Sequence, residues 1–158
     1  MFKLDLMPAG GGKSWDDGGC GQVAAILISY SAFAIHSLRF LYFKDGSYNL
    51  SENHGRLSGS SQMIRLDCPT EFLTEVHGFR SIAFGSGSDE LSSITFVTNK
   101  STYGPFGKSN PSSGDSDFKF RLRSRGDSIN GFHGTINNLS WFCRKHWYLF
   151  TDLKPLHL

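Results

Sequence analysis

Residues 91–104 read LSSITFVTNKSTYG, and residues 35–48 read IHSLRFLYFKDGSY. Aligned at an offset of 56 (91 − 35), the two stretches place identical residues opposite each other at three positions: Ser37 and Ser93, Phe40 and Phe96, and Lys44 and Lys100. In both stretches, mainly apolar side chains recur at every second position, which is the period of a β-strand with one buried face. The chain therefore contains one strand pattern at least twice.

A second pattern precedes each of these strands. VHGF begins at Val76 and INGFHG begins at Ile129, 53 residues later (129 − 76), and VAAILI from Val23 is a fainter counterpart. Each unit is predicted to open with one strand and to turn into a second. The predicted first strands start at Val23, Val76 and Ile129, and the second strands start at Ile35, Leu91 and Leu139. Three units of about fifty residues indicate a symmetric or stacked architecture, and short strands throughout predict an all-β barrel-like or prism-like body.

Length and composition agree with one β-rich domain. The 158 residues include 14 Phe and 18 Gly, which supplies an apolar core and many turns. Asp45-Gly46 lies between strand-like segments and favours a tight hairpin turn, because both residues tolerate positive φ. The best helical candidate, TEFLTEV at 70–76, has β-branched ends and follows Cys-Pro, so a strand is favoured and almost no helix is predicted.

Charge and cysteine usage restrict the location and the partners. The net charge of +2 (16 − 14) is too small to predict binding to nucleic acid or to a membrane surface. Cys20, Cys68 and Cys143 are isolated, as expected for reduced thiols. The start of the sequence, MFKLDLMPAG, has no signal-peptide pattern, and no apolar run reaches membrane-spanning length. We expect a cytoplasmic protein, with the nucleus as an open alternative, and neither nucleic acid nor membrane as a partner.

Several stretches together resemble the jacalin-related lectin family. They are GGGKSWDDG (10–18), IHSLRFLYFKDGS (35–47), DCPTEFLTEVHGF (67–79), SSITFVTNKSTYGPFG (92–107) and INGFHG (129–134). The resemblance implies a β-prism I fold, in which three four-stranded Greek-key sheets surround a pseudo-threefold axis. It also implies sugar binding without a metal and, most often, a plant source. No Gly-x-Ser-x-Gly, paired-carboxylate or Cys–His pattern stands out in the sequence, so neither catalysis nor a cofactor is predicted. We predict a jacalin-type domain over residues 2–145 and a divergent tail over 146–158.

The last strand departs from the family pattern. Trp141 takes the place of Ser37 and Ser93, and Arg144 takes the place of Phe40 and Phe96. An arginine on a core face is costly unless it is paired, so we expect an altered last strand. Two alternatives stay open for the aromatic tail: a replacement strand reaching to about Phe150, or a disordered end.

The resemblance also implies where a sugar binds, namely between an N-terminal glycine-rich loop and a C-terminal loop. At the matching positions, Gly11 and Gly12 let the backbone approach a sugar ring, and Gly12 offers its N–H. The family's C-terminal loop carries Gly-x-x-x-Asp, whose carboxylate accepts hydrogen bonds from neighbouring hydroxyls. Here Ser140 stands where that aspartate is expected. The candidate carbohydrate-binding residues are Gly11, Gly12, Asn137, Asn138, Leu139, Ser140 and, from a loop that influences ligand choice in the family, Phe79.

Typical binding energies indicate that Ser140, in place of the family's aspartate, weakens sugar binding. A millimolar sugar complex is worth only about −4 kcal/mol, and a hydrogen bond to a charged acceptor contributes roughly 1.5–3 kcal/mol. The galactose-preferring branch depends on a processed glycine N-terminus, whereas here MFKLDLMPA precedes the glycines. We therefore expect a mannose/glucose-type lectin with a weakened site. The alternative is a jacalin-fold module that has lost sugar binding and contacts proteins. The expected partners are mannose- or glucose-containing glycans, with further copies of the chain as an open possibility.

Three other motifs are given weaker interpretations. GGGKS resembles a phosphate loop, but that motif needs a glycine at Met7 and a following helix, where WDDGG stands instead. His54, His77 and His133 each adjoin a glycine without metal-ligand spacing, so no metal site is predicted. The third motif is an alternation of basic and apolar residues: Lys119, Arg121, Arg123 and Arg125 with Phe118, Phe120 and Leu122. It predicts a half-buried strand with a basic, solvent-facing side, and contact with phosphate or RNA is the alternative.

Overall fold

The computed structural model of the chain describes residues 2–3, 13–83, 88–110, 117–124, 128–136 and 150–153. These residues form strands and connecting turns without any helix, as predicted, and so none of them belongs to a helix able to cross a membrane. The strands in chain order are β1 (Phe2–Lys3), β2 (Lys13–Asp16), β3 (Gln22–Tyr30), β4 (Ile35–Lys44), β5 (Ser47–Leu50), β6 (His54–Gly55), β7 (Ser60–Arg65), β8 (Leu73–Ala83), β9 (Ser88–Thr98), β10 (Thr102–Gly107), β11 (Asp117–Arg123), β12 (Phe132–Ile136) and β13 (Phe150–Leu153).

The strands form three antiparallel sheets. The first sheet has the order β1-β13-β12-β2, the second β10-β9-β8-β11 and the third β5-β4-β3-β7. In the third sheet β6 also pairs with β4. It lies on the same edge of β4 as β5 does, but it pairs with the start of β4, whereas β5 pairs with its end. That sheet is therefore four positions wide, and the prediction of three four-stranded sheets in an all-β prism is confirmed.

The repeated strand pattern has the predicted buried face. Leu38, Phe40 and Tyr42 on β4 are 0%, 0% and 1% exposed. Ile94 and Phe96 on β9 are both 0% exposed. These residues share one apolar cluster with side chains from the other sheets, so the threefold repetition reflects three sheets that enclose one core.

The third unit differs from its predicted boundaries. Ile129 is buried, but β12 begins only at Phe132. The predicted strand start at Ile129 is therefore wrong. The backbone N–H of Ile129 donates to the carbonyl of Leu73, at the start of the second sheet, which explains why Ile129 is fixed in the core without belonging to β12. The predicted start of the partner strand at Leu139 lies outside the described residues.

Aromatic packing joins the first sheet to the third. The rings of Phe40 and Phe132 are stacked, with centroids 4.2 Å apart and planes 7° from parallel. Phe132 is 1% exposed. Since Phe40 is on β4 and Phe132 is on β12, this pair fixes the separation of the two sheets in the core.

The predicted turn at Asp45-Gly46 is confirmed. It connects β4 and β5, and both residues have positive φ, 51° at Asp45 and 78° at Gly46. These angles are typical of the two-residue hairpin turn that matches the twist of the flanking strands.

The last described strand, β13, completes the first sheet. β13 pairs with β12 through Phe132 and Thr151, and with β1 through Phe2 and Leu153. The replacement strand predicted to reach about Phe150 falls on residues 139–149, which lie outside the described residues, so it stays a prediction. Trp141 and Arg144 lie outside the described residues, and the division at 145/146 between domain and tail stays a prediction.

Candidate functional site

The first sheet brings the two segments of the predicted sugar site to one place. β2 and β12 are antiparallel neighbours, and their pairing runs from Asp16 opposite His133 to Lys13 opposite Ile136. Gly12 precedes Lys13 in the sequence, and Asn137 follows Ile136. The glycine-rich segment and the C-terminal loop segment are therefore joined to strands that end side by side.

The predicted site residues themselves fall mostly outside the described part of the chain. This holds for Gly11, Gly12, Asn137, Asn138, Leu139 and Ser140, and their arrangement stays a prediction. Phe79 is described and lies half-buried on β8, in the second sheet. The Lys119 ammonium is 5.8 Å from the centroid of its ring.

A buried polar cluster fixes the end of β2 against the third sheet. Asp17 accepts hydrogen bonds from Nε2 of His54 at 2.8 Å and from the phenol of Tyr42 at 3.2 Å. Trp15 stacks on the His54 ring with centroids 3.5 Å apart. From the sequence, His54 was considered only as a candidate metal ligand and this cluster was missed, because Asp17 and His54 are 37 positions apart.

The electrostatics of this cluster favour a protonated Tyr42. Burial raises the pKa of Tyr42, and the negative charge of Asp17 raises it further. The phenol therefore keeps its proton and serves as a donor to Asp17. The result is a rigid support for the strand that leads to the glycine-rich segment.

A groove of about 680 Å³ lies on the second sheet. It is lined by Glu75, His77, Gly78, Phe79, Ser93, Thr95, Thr102, Gly104, Pro105, Ser109, Lys119, Phe120 and Arg121. β8 forms its middle, with β9 on one side and β11 on the other. The basic strand that the sequence predicted is thus confirmed as β11, and it borders this groove.

The basic side chains of the groove share one acidic partner, Glu75, whose side chain is 7% exposed. Its Oε1 accepts hydrogen bonds from Nε of Arg121 at 2.8 Å and from Nδ1 of His77 at 3.0 Å. Nε of Arg123 lies 3.7 Å from the other carboxylate oxygen. Burial opposes ionisation, but the hydrogen bonds and charges of Arg121 and His77 outweigh it and hold the pKa of Glu75 below its usual value.

This lowered pKa predicts an acid-sensitive contribution to stability. A carboxyl whose pKa is lower in the folded than in the unfolded chain stabilises the fold above the unfolded pKa, and the stabilisation is lost as pH falls through the folded pKa. We expect the free energy of unfolding of Glu75→Gln to fall less than that of the wild type below about pH 4.5. Urea unfolding followed across pH 2.5–7 measures the difference, roughly the range in which carboxyls titrate.

Glu52→Gln is the matched control, because Glu52 is exposed on the third sheet's edge loop. Its profile should follow that of the wild type. If Glu75→Gln also followed the wild type at every pH, the assigned ion pairs would not stabilise the fold.

Within the described ranges, no three His, Cys, Asp or Glu side chains are placed to hold one metal ion. The expectation of metal-independent binding stays a prediction, because the loop segments beside Lys13 and Ile136 are not among those residues.

The chain is similar to known proteins over most of its length. The family model described as "Jacalin-like lectin domain" matches residues 6–140. Jacalin-related lectin 20 of Arabidopsis thaliana is 36% identical over 134 residues, which is 84% of this chain and 28% of that protein. Myrosinase-binding protein 2 of the same plant is 35% identical over 139 residues, which is 87% of this chain and 20% of that protein. The chain thus spans less than a third of the length of these two relatives.

Solved structures agree with the fold. A mannose-specific jacalin-related lectin from Morus nigra, solved in complex with mannose, superimposes with a TM-score of 0.77 and 29% sequence identity. The match covers 95% of this chain and 92% of that lectin.

Proposed function

The chain belongs to the family of jacalin-like lectin domains, and on this basis we propose that it is a non-catalytic lectin for mannose- or glucose-containing glycans. The sugar site we propose is formed by the segment before β2 and the segment after β12. It needs no metal and is weaker than a site that carries the family's aspartate.

One observation carries this proposal, namely the antiparallel pairing of Lys13 with Ile136. Partners in such a pair have Cα atoms only about 4.5–5.5 Å apart. Residues that continue from this pair, Gly12 on one side and Asn137 on the other, start within reach of a single sugar ring.

The chemistry of the two segments supports a sugar ligand. Glycines leave the backbone N–H accessible, since no Cβ stands between it and a ligand oxygen. Asn137 and Asn138 supply both donors and acceptors, and Ser140 supplies a hydroxyl. A hydroxyl accepts a hydrogen bond less strongly than a carboxylate does, and this difference is the reason we propose a weakened site.

The proposed preference for mannose or glucose rests on two features. The lectin from Morus nigra, which covers 95% of this chain, is described as mannose-specific. Residues also precede the glycine-rich segment here, and they include β1, which pairs with β13. While these residues stay attached, the glycine-rich segment carries no free glycine amino group, the group on which the galactose-preferring branch depends.

Restoring the carboxylate tests the site. Ser140→Asp is expected to raise the affinity for mannose roughly tenfold or more, because one hydrogen bond to a charged acceptor is worth roughly 1.5–3 kcal/mol. Isothermal titration with methyl mannoside, methyl glucoside and methyl galactoside measures both the gain and the preference.

Ser60→Asp is the control for added negative charge, since Ser60 is exposed on β7 of the third sheet. It should leave the affinity unchanged. An unchanged affinity in Ser140→Asp would remove Ser140 from the site, and stronger binding of galactoside than of mannoside would refute the proposed preference.

The second candidate function is a protein-interaction module without sugar binding. Myrosinase-binding protein 2, which is 35% identical to this chain over 139 residues, is named for a protein partner. A glycan array separates the two candidates, since mannose-type signals support the lectin and silence across the array supports the module.

The cellular location is a separate proposal. Cys20 and Cys68 are free thiols, which fits the reducing cytoplasm, and the nucleus stays open as an alternative. Burial raises the pKa of both thiols, and so they stay protonated near neutral pH. Microscopy of a fluorescent fusion in plant cells tests this location.

A further inference from the structure

The groove on the second sheet has the charge of an anion-binding surface. Lys119 is exposed, and Arg121 and Arg123 are 67% and 74% exposed. All three come from β11, where side chains of alternate residues point to the same side of the sheet. Glu75 is the acidic residue among the groove's lining side chains, so the lining and its rim carry an excess of positive charge.

The arrangement of these cations is more specific than a solvated basic strand. Glu75 is 7% exposed, and a buried carboxylate holds its partners in fixed geometry because leaving it unpaired is costly. Its contact with Arg121 uses Nε, and the remaining N–H groups of that guanidinium are on the two Nη atoms. His77, which is 40% exposed, is held by the same carboxylate oxygen. Basic side chains that are already held in place lose less conformational entropy when a ligand binds.

Neutral polar groups and a ring complete the groove. Ser93 and Thr95 are buried residues of its floor, and Thr102 and Ser109 are exposed at its margin. The half-buried ring of Phe79 supplies an apolar surface beside Lys119. Hydroxyl groups both donate and accept hydrogen bonds, which suits a ligand that itself carries many hydroxyls.

An extended acidic peptide fits this groove less well. Such peptides gain affinity by adding a strand to a free sheet edge. The floor strand β8 has no free edge here, since His77 is paired with Thr95 on one side and with Arg121 on the other. A peptide lying over β8 could use side-chain contacts only. Among the described residues the edge of the sheet on this side is β11, so a peptide strand would have to add outside the groove.

We propose that this groove is a second binding site, for an acidic oligosaccharide that carries carboxylate or sulfate groups. The acidic groups contact Lys119, Arg121 and Arg123, and the sugar hydroxyls contact the hydroxyl side chains of the groove. The site is on the second sheet, whereas Lys13 and Ile136, which flank the proposed mannose site, are on the first. Phe79, a sequence-based candidate for the mannose site, lines this groove and is assigned to it in this proposal.

The double variant Lys119→Gln/Arg123→Gln tests this site while leaving the Arg121–Glu75 pair in place. The probes are sulfated dextran oligomers, oligogalacturonate and neutral dextran of matched length, titrated at low and at high salt. We expect at least one acidic probe to bind the wild type and neutral dextran not to bind. The double variant should bind the acidic probe roughly tenfold to a hundredfold more weakly, since it removes two cations and each lost charge-assisted hydrogen bond costs about a factor of ten. The tighter of the two acidic probes identifies sulfate or carboxylate as the preferred group.

Arg56→Gln/Arg65→Gln is the matched control, because it removes two exposed arginines outside the groove and changes the net charge equally. It should retain the wild-type affinity, and thermal melts should show all variants folded. Equal losses in both double variants would mean unspecific charge attraction and would overturn the proposal. Tighter binding of a poly-glutamate peptide than of either acidic oligosaccharide would also overturn it. Mannose titration is expected to be unchanged in the groove variant, so the two sites can fail independently.

Discussion

Replacing Gly78 by alanine is expected to lower the free energy of unfolding by at least about 3 kcal/mol, at the upper end of what overpacking costs. A Cβ added at Gly78 would be 1.9 Å from the backbone oxygen of Ser93 on the neighbouring strand. Backbone atoms in the middle of a sheet cannot move aside as a flexible side chain can, so β8 and β9 would have to separate. Urea unfolding of the purified variant measures the loss.

Gly131→Ala is the control for the loss of a glycine as such. A Cβ there would be 3.2 Å from the nearest atom, the backbone oxygen of Asp17, and a shift of a few tenths of an ångström is enough to accommodate it. We expect its effect to be far smaller than that of Gly78→Ala. Equal stability losses in the two variants would contradict the steric explanation.

Phe40→Ala is expected to cost about 3–5 kcal/mol, because it leaves a cavity the size of a ring in a close-packed core. Phe40 is 0% exposed and stacks on Phe132, so its removal also loosens the contact between the third sheet and the first. The loss should appear as a lower urea midpoint with little change in the slope of the transition.

Phe33→Ala is the matched control, since the Phe33 side chain is 78% exposed. Its effect on stability should be within about 0.5 kcal/mol, as for most surface substitutions. If the two variants lost equal stability, the position of Phe40 between the sheets would not be what stabilises the prism.

The parts of the fold that the sequence predicted are those with a strict local pattern. The buried faces around Phe40 and Phe96 follow from the alternation of side chains, and the turn at Asp45 follows from local backbone preference. Ile129 did not follow the pattern, because its buried position depends on a hydrogen bond to Leu73 from a distant part of the chain. Period alone does not distinguish a buried strand residue from a buried loop residue.

The functional groups were harder to predict for a related reason. Glu75, His77 and Arg121 are brought together by the pairing of β8 and β11, and Glu75 and Arg121 are 46 positions apart. The sequence showed the basic face of β11 but gave no sign of the buried carboxylate opposite it. The sugar site could be predicted only through the family resemblance, because a glycine-rich segment and a serine have no chemical signature of their own.

The origin of the first sheet has a consequence for biosynthesis. The second and third sheets each come from one continuous stretch of the chain, residues 73–123 and 22–65, whereas the first unites β1 and β2 with β12 and β13. A ribosome that has released only the first 123 residues has supplied every described strand of the second and third sheets but not β12, the strand with which β2 pairs. The end of the molecule that we propose binds mannose or glucose is therefore assembled after the other two sheets, and a nascent chain can form it only once β12 and β13 have been synthesised.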